Sequence, residues 1–168
     1  MATIQNVRAV GNPSRAYEWE VEVRGTSATG QVPLFIERAL TVSVPETAVD
    51  QIEIPHKGRS AYYAGRDASG HTVEVSFWDG EDHAIYRFMK NWMETISDSE
   101  VGGGVTRDLY GAELIIRQMA HDSTTPTITH RLTHVFPTSV SDISLDYASS
   151  EHINLSVTFS FDSNLIEG

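Results

Sequence analysis

The sequence contains no cysteine. That excludes disulfides and thiolate-ligated zinc, and it leaves the fold to be held by its own core. Long apolar runs are missing too. The longest spans a few residues, far below the ~18 that a membrane-crossing helix needs. The opening stretch MATIQNVRAV lacks a basic segment leading into an apolar one. The expectation is therefore a soluble chain with no secretory signal and no membrane insertion, made and kept in the cytoplasm until it is assembled. Cations are scarce: 12 Lys and Arg stand against 23 Asp and Glu, a formal net charge of −11. A nucleic-acid binder needs clustered Lys and Arg for the phosphates, so this balance argues against one. An acidic surface favours solubility.

Signatures of chemistry are equally sparse. There is no G-x-S-x-G elbow for a serine nucleophile. The glycines at 102–104 are not followed by the G-K-[ST] of a phosphate loop. DGED at 79–82 lacks the spaced ligands and closing Glu of a calcium loop, and helix capping explains it better. His130 and His134 have the spacing of a helical zinc pair, but TITHRLTH alternates and is rich in Thr. In a strand, four residues span about 13 Å, too far for one metal. The expectation is no enzyme, no catalytic residue, no metal and no cofactor.

What is present is alternation. EHINLSVTFSFD (151–162) sets Ile153, Leu155, Val157, Phe159 and Phe161 against His152, Asn154, Ser156, Thr158 and Ser160. A period of two is the mark of a half-buried strand. YEWEVEVRG (17–25) repeats it with Glu18, Glu20 and Glu22 on the wet side, and HTVEVSFWDG (71–80) with Glu74. Further strands are expected at 34–45, 49–55, 106–119, 127–136 and 142–147. Residues 45–70 read as an extended, projecting segment that carries Lys57, Arg59 and Arg66. One helix is expected over about 81–97, where Ile85, Phe88, Met89, Trp92 and Ile96 keep helical spacing. Tyr86 and Met93 form a second apolar stripe beside that face, wider than a surface helix needs. The length fits a single domain, residues 1–168. The fold class is mainly β: a β-sandwich or barrel-like subunit of about eight strands and one helix.

The order of these segments resembles the tube proteins of bacteriophage contractile tails. The likeness rests on Pro55, Gly58-Arg59, the strand Val73–Trp78, the acidic run Asp79–Asp82, and Ile85, Phe88 and Trp92 on the helix. It continues through HRLTHVFPTSVSDISLDYASSEHINLSVTFSFD (130–162), so it covers roughly residues 50–162. Related tubes occur in pyocins and type VI secretion systems. The resemblance implies a non-catalytic subunit whose hexameric rings stack into a hollow tube inside a contractile sheath. It implies partners in further copies of the chain, the sheath protein, the tape measure protein, and baseplate and tail-terminator proteins. It also implies a place in the virion tail, with host cytoplasm before assembly, and DNA that passes through without specific binding.

Under that resemblance the channel-lining candidates are Asn154, Ser156, Thr158 and Ser160, with Glu18, Glu20, Glu22 and Glu74 if their faces point the same way. A conduit for DNA should not grip it, since each Lys or Arg contact to phosphate adds affinity. The subunit-contact candidates are Lys57, Arg59 and Arg66 on the projecting segment and Tyr86 and Met93 on the helix. Composition alone leaves two other classes open. One is a monomeric β-sandwich binding module for carbohydrate or protein, using Tyr62, Tyr63 and Tyr110. The other is a metal-assisted hydrolase built on the histidines. Oligomerisation separates the first reading from both.

Overall fold

Leu155, Val157 and Phe159 are fully buried, while Ser156, Thr158 and Ser160 between them stay partly exposed. The same alternation runs through Val73, Val75 and Phe77. Period-two patterning thus does what it predicts, and the two halves of one bent sheet turn their apolar faces to one core. The computed structural model describes residues 13–25, 32–97, 102, 104–143, 145–147 and 152–168. Along them run β1 (Trp19–Arg24), α1 (Val32–Arg38), β2 (Ala39–Val42), β3 (Val49–His56), β4 (Arg59–Asp67) and β5 (Thr72–Trp78). Then come α2 (Ala84–Ile96), the short α3 (Arg107–Tyr110), β6 (Ala112–Met119), β7 (Pro126–Val140), β8 (Asn154–Ser160) and β9 (Ser163–Glu167).

The main sheet runs β1-β6-β7-β8-β5-β2, with β9 also on β7, and every pairing is antiparallel. β7 belongs to both halves. Its first part pairs with β6 and β9, and its last part with β8. Between them Leu132 to Val135 oppose Leu114 to Ala112, one residue too many, and His134 takes φ 52. Such a bulge bends a strand and raises its twist, which lets one long strand leave one layer and enter the other. The halves meet on a common core: Val21, Val23, Leu114, Ile116 and Leu132 from one, Val73, Phe77, Leu155, Val157 and Phe159 from the other.

α2 enters this core through Ile85, Met89 and Trp92. Trp92 is 2% exposed, and its indole N–H donates to the Tyr110 carbonyl at 2.8 Å, which ties α2 to α3. Asp79 is buried at the α2 entry and its Oδ1 accepts from the Ile85 N–H at 3.3 Å. Arg38 joins α1 to the same turn by paired hydrogen bonds to Asp82, both 2.8 Å. Those bonds hold the Asp82 carboxyl down to about 2.

Three expectations are corrected. Residues 34–45 are not one strand: α1 occupies 32–38 and β2 follows at once. Pro33 suits a first helical turn, and the helix carries Phe35 into the core, edge-on to Phe77 at 5.0 Å and to Phe88 at 5.9 Å. That tertiary contact outweighs the strand propensity of its neighbours. Residues 142–143 and 145–147 form no strand, with Leu145 and Tyr147 fully outside the core. Residues 107–110 are helical, and the strand expected from 106 begins at Ala112. β9 was not foreseen. Residues 26–31, 98–101 and the chain start lie outside the described residues.

Phe35 is the one fully buried side chain of α1 among the described residues. Phe35→Ala is expected to cost about 3–5 kcal/mol, the range for a large aromatic removed from a packed core. Urea unfolding measures it; a midpoint unchanged from wild type would show that α1 does not anchor the sandwich.

Candidate functional site

β5 and β8 are in register along seven residues, and their outward side chains form one continuous surface. Ser160 faces Thr72, Thr158 faces Glu74, Ser156 faces Ser76 and Asn154 faces Trp78. β2 extends it through Thr41, hydrogen-bonded to the Ser76 hydroxyl, and the end of β7 through Ser139, opposite Thr158. Small hydroxyls here bind each other and the backbone: Thr138 donates to the Thr158 carbonyl at 3.0 Å, and Ser141 Oγ accepts from the Ser156 N–H at 2.9 Å. Glu74 supplies the charge, with no ion pair among the described residues. The four polar candidates of the last strand and Glu74 are therefore brought together on one neutral-to-acidic, wettable face.

Glu18, Glu20 and Glu22 do not join it. Their strand lies in the other half, paired with β6. Arg117 of β6 reaches Glu20 and Glu22, each at 2.6 Å, and Arg24 reaches Glu22 at 2.6 Å. Glu18 is buried and touches Arg15 at 3.4 Å and His121 at 3.3 Å. The β1 face is thus a charge-balanced network, not a repulsive stripe. Ile115, 1% exposed and outside the main core, is covered beneath it. Sequence reasoning missed Arg117. The signal was present in LIIRQM, where a lone cation follows an apolar run in a half-buried strand. Burial pushes the Glu22 carboxyl up, and the hydrogen bonds from Arg24 and Arg117 outweigh it, so its pKa lies below the ordinary value.

Residues 49–67 form a separate two-stranded hairpin, β3 with β4, in which nearly every residue is exposed. Its two-residue turn is Lys57-Gly58, with φ 46 and 79, the positive angles that match the twist of the flanking strands. Near the base Gly65 passes close to Asp50; a Cβ there would lie 2.9 Å from the Asp50 carbonyl oxygen. Opposed residues share a face, so Ile52, Ile54, Ala61 and Tyr63 make an apolar side, and Gln51, Glu53, Ser60 and Tyr62 a more polar one. Arg59 continues the apolar side at the turn end, opposite His56, and Arg66 lies at the register shift near the base; with Lys57 they have no ion pair among the described residues. A bare hairpin is marginal in water. This one presents Ile52 and Ile54 at 51% and Tyr63 at 58% exposure, a surface made to be covered.

Tyr86 and Met93 are half-buried and line a groove of about 650 Å³ between α2 and residues 140–143. Val140 and Ile143 complete its floor, and Lys90, Glu94 and Asp142 stand at its rim. His130 is buried beside Asn164 at 3.3 Å, while His134 sits on the bulge facing Asp162 at 3.6 Å. The two do not share a site. Among the described residues no cluster of three or more His, Asp or Glu could hold a metal ion, and no helix is long and apolar enough to cross a membrane.

The family model for phage tail tube proteins matches residues 14–167. No curated protein sequence matches the chain. Solved structures share the fold. A chain of the sheath/tube terminator of the PVC extracellular contractile injection system, in the extended state, is 16% identical with TM-score 0.69, over 95% of this chain and 99% of that one. A chain of the anti-feeding prophage tube-terminating cap is 18% identical with TM-score 0.70, over 99% of each. The SPP1 tail tube is 14% identical with TM-score 0.55, over 93% of this chain and 80% of that one.

Because the pKa of Glu22 is lowered on folding, its stabilisation is present above the ordinary carboxylate value and is lost as pH falls through the folded value. Glu22→Gln should cost about 1 kcal/mol at pH 7 and progressively less below pH 4. Urea midpoints of both proteins across that range check it. A gap that stays constant with pH would show that Arg117 and Arg24 do not stabilise the charge.

Proposed function

The chain belongs to the phage tail tube protein family, and we propose that it forms hexameric rings that stack into the hollow tube of a contractile tail. Residues 1–168 act as one structural, non-catalytic domain in that tube. The carrying observation is the wide face of Asn154, Ser156, Thr158, Ser160, Thr72 and Ser76, whose one charge is Glu74 and whose nearest cation among the described residues, Arg38 over the Trp78 ring at one end, is held by Asp82. Turned to the channel, such a face is wetted by water and offers DNA nothing to hold, since phosphate affinity comes from Lys and Arg. Three of the body's cations are held by carboxylates: Arg117 by Glu20 and Glu22, Arg131 by Glu113 and Glu167, Arg38 by Asp82.

Ring formation supplies what the isolated subunit lacks. β9 leaves an open strand edge with Leu165 and Ile166 exposed at 51% and 60%. Edges of this kind are covered or closed in stable proteins. The hairpin, with Lys57, Arg59 and Arg66, bridges to a neighbouring subunit. The outer surface meets the sheath protein. The tape measure protein fills the channel during assembly, and baseplate and terminator proteins end the tube; subunits wait in the host cytoplasm. The binding-module alternative fits less well. Tyr62 and Tyr63 lie on opposite faces of the hairpin, and Tyr110 is stacked edge-on with Phe136 at 5.6 Å, so the three build no platform for a sugar.

Negative-stain images of the purified protein, and of any particle that contains it, test the assembly: rings or hollow tubes are expected. Particles without a tube containing this chain would overturn it. For the lining, Ser156→Lys with Thr158→Lys should leave tube formation intact and slow DNA ejection at low salt, with the defect shrinking as salt screens the contacts. Normal ejection at every salt concentration would place this face away from the channel.

A further inference from the structure

We infer that the apolar face of the β3–β4 hairpin seats in the groove between α2 and residues 140–143 of a second copy of this chain. The inference rests on the tube reading, which supplies the second copy, and names the surface that receives the arm. Length comes first. A β3 strand of eight residues, at about 3.3 Å each, reaches about 26 Å from its base. A domain of this size has a radius of gyration of about 15 Å. The arm is long enough to cross onto another subunit.

Charge decides what it meets there. The turn end, residues 56–60, carries Lys57 and Arg59 and no carboxylate, while Arg66 lies near the base with Asp50 and Asp67, so the hairpin as a whole is neutral and its tip is positive in a chain whose total is −11. Two hairpins repel each other at their tips, whereas a hairpin and another copy's body attract. On that body the groove couples an apolar floor, Tyr86, Met93, Val140 and Ile143, to a rim of two carboxylates, Glu94 and Asp142, and one cation, Lys90, which leaves it net acidic. Neither carboxylate has an ion pair among the described residues. The hairpin offers Ile52, Ile54 and Tyr63 on one face for that floor, with Arg59 and Lys57 at its end to meet the two carboxylates. Seating one on the other removes two apolar surfaces from water and pairs both sets of charges. It also uses Tyr86 and Met93, which the intrachain core leaves half-covered.

Because the chain has no cysteine, introduced thiols report the contact without background. Full-length Ile54→Cys is mixed with full-length Met93→Cys under mild oxidation, and mixed disulfides are counted by mass spectrometry. Thr124→Cys, on the exposed β6–β7 turn, replaces Met93→Cys in the control. The 54–93 product is expected to exceed the 54–124 product about tenfold, through raised local concentration. It should fall severalfold at 1 M salt, where the screening length is about 3 Å. Glu94→Arg on the receiving chain should lower the yield, and Arg59→Glu on the arm should restore it. If Met93→Cys loosens α2, Lys90→Cys on the exposed rim gives the same readout. Equal yields from both mixtures overturn the docking. If rings form in those samples the tube reading still stands and the groove is free for an outside partner such as sheath. A preferred 54–93 product without rings keeps the docking and removes the ring reading.

Discussion

Everything in this subunit depends on the register of β8 against β5. The sheet period is two, so each inward Leu155, Val157 and Phe159 commits its neighbours Ser156, Thr158 and Ser160 to the outer surface. Slippage by one residue would bury the hydroxyls and expose the aromatics. Because Val75 lies opposite Val157 and Phe77 opposite Leu155, each cross-strand pair guards the register of the next. The core is thus what keeps the outer face polar, small and uncharged. Stability and the proposed conduit are one constraint seen from its two sides.

The second organising feature is how charge is distributed. Most of the body's cations are paired with local carboxylates across β1, β6, β7 and β9 and around the α2 entry, with Arg87 and Lys90 on the outer side of α2 as exceptions among the described residues. Exposed pairs of this sort add little each. Arg117 differs, since it is largely sheltered and bridges two carboxylates above the buried Ile115. What remains is a body with surplus negative charge and a hairpin tip with surplus positive charge. That asymmetry favours orderly contact between copies over collapse of like surfaces. It also leaves the hydroxyl face with one neighbouring cation among the described residues, Arg38 on the Trp78 ring, which Asp82 holds.

Legibility in the sequence followed the range of the forces. β1, β5, β8 and α2 are set by local periodicity, and each lies within a few residues of its expected bounds. The projecting character of 45–70 was readable from its Gly and charge content, and its strands pair with each other. α1 was hidden because the reason for it is tertiary: Phe35 finds Phe77 and Phe88, residues far along the chain. β9 was hidden because five residues hold no periodicity worth reading; β7 recruits them. The same limit applied to the candidate lining. Glu74 joins the β8 set through strand pairing, whereas Glu20 and Glu22, alike in sequence, belong to the other half of the sheet and to Arg117. Alternation tells which side of a strand is wet. It does not tell which wet sides face the same way.

The most direct measurement is a side-chain-resolution cryo-electron microscopy map of the assembled tube. The account predicts a channel wall formed by β5 and β8, with Ser156, Thr158 and Glu74 projecting into it and Arg117 elsewhere. A wall lined by the Arg117, Glu20 and Glu22 face, with the hydroxyl face turned to sheath or solvent, would contradict it.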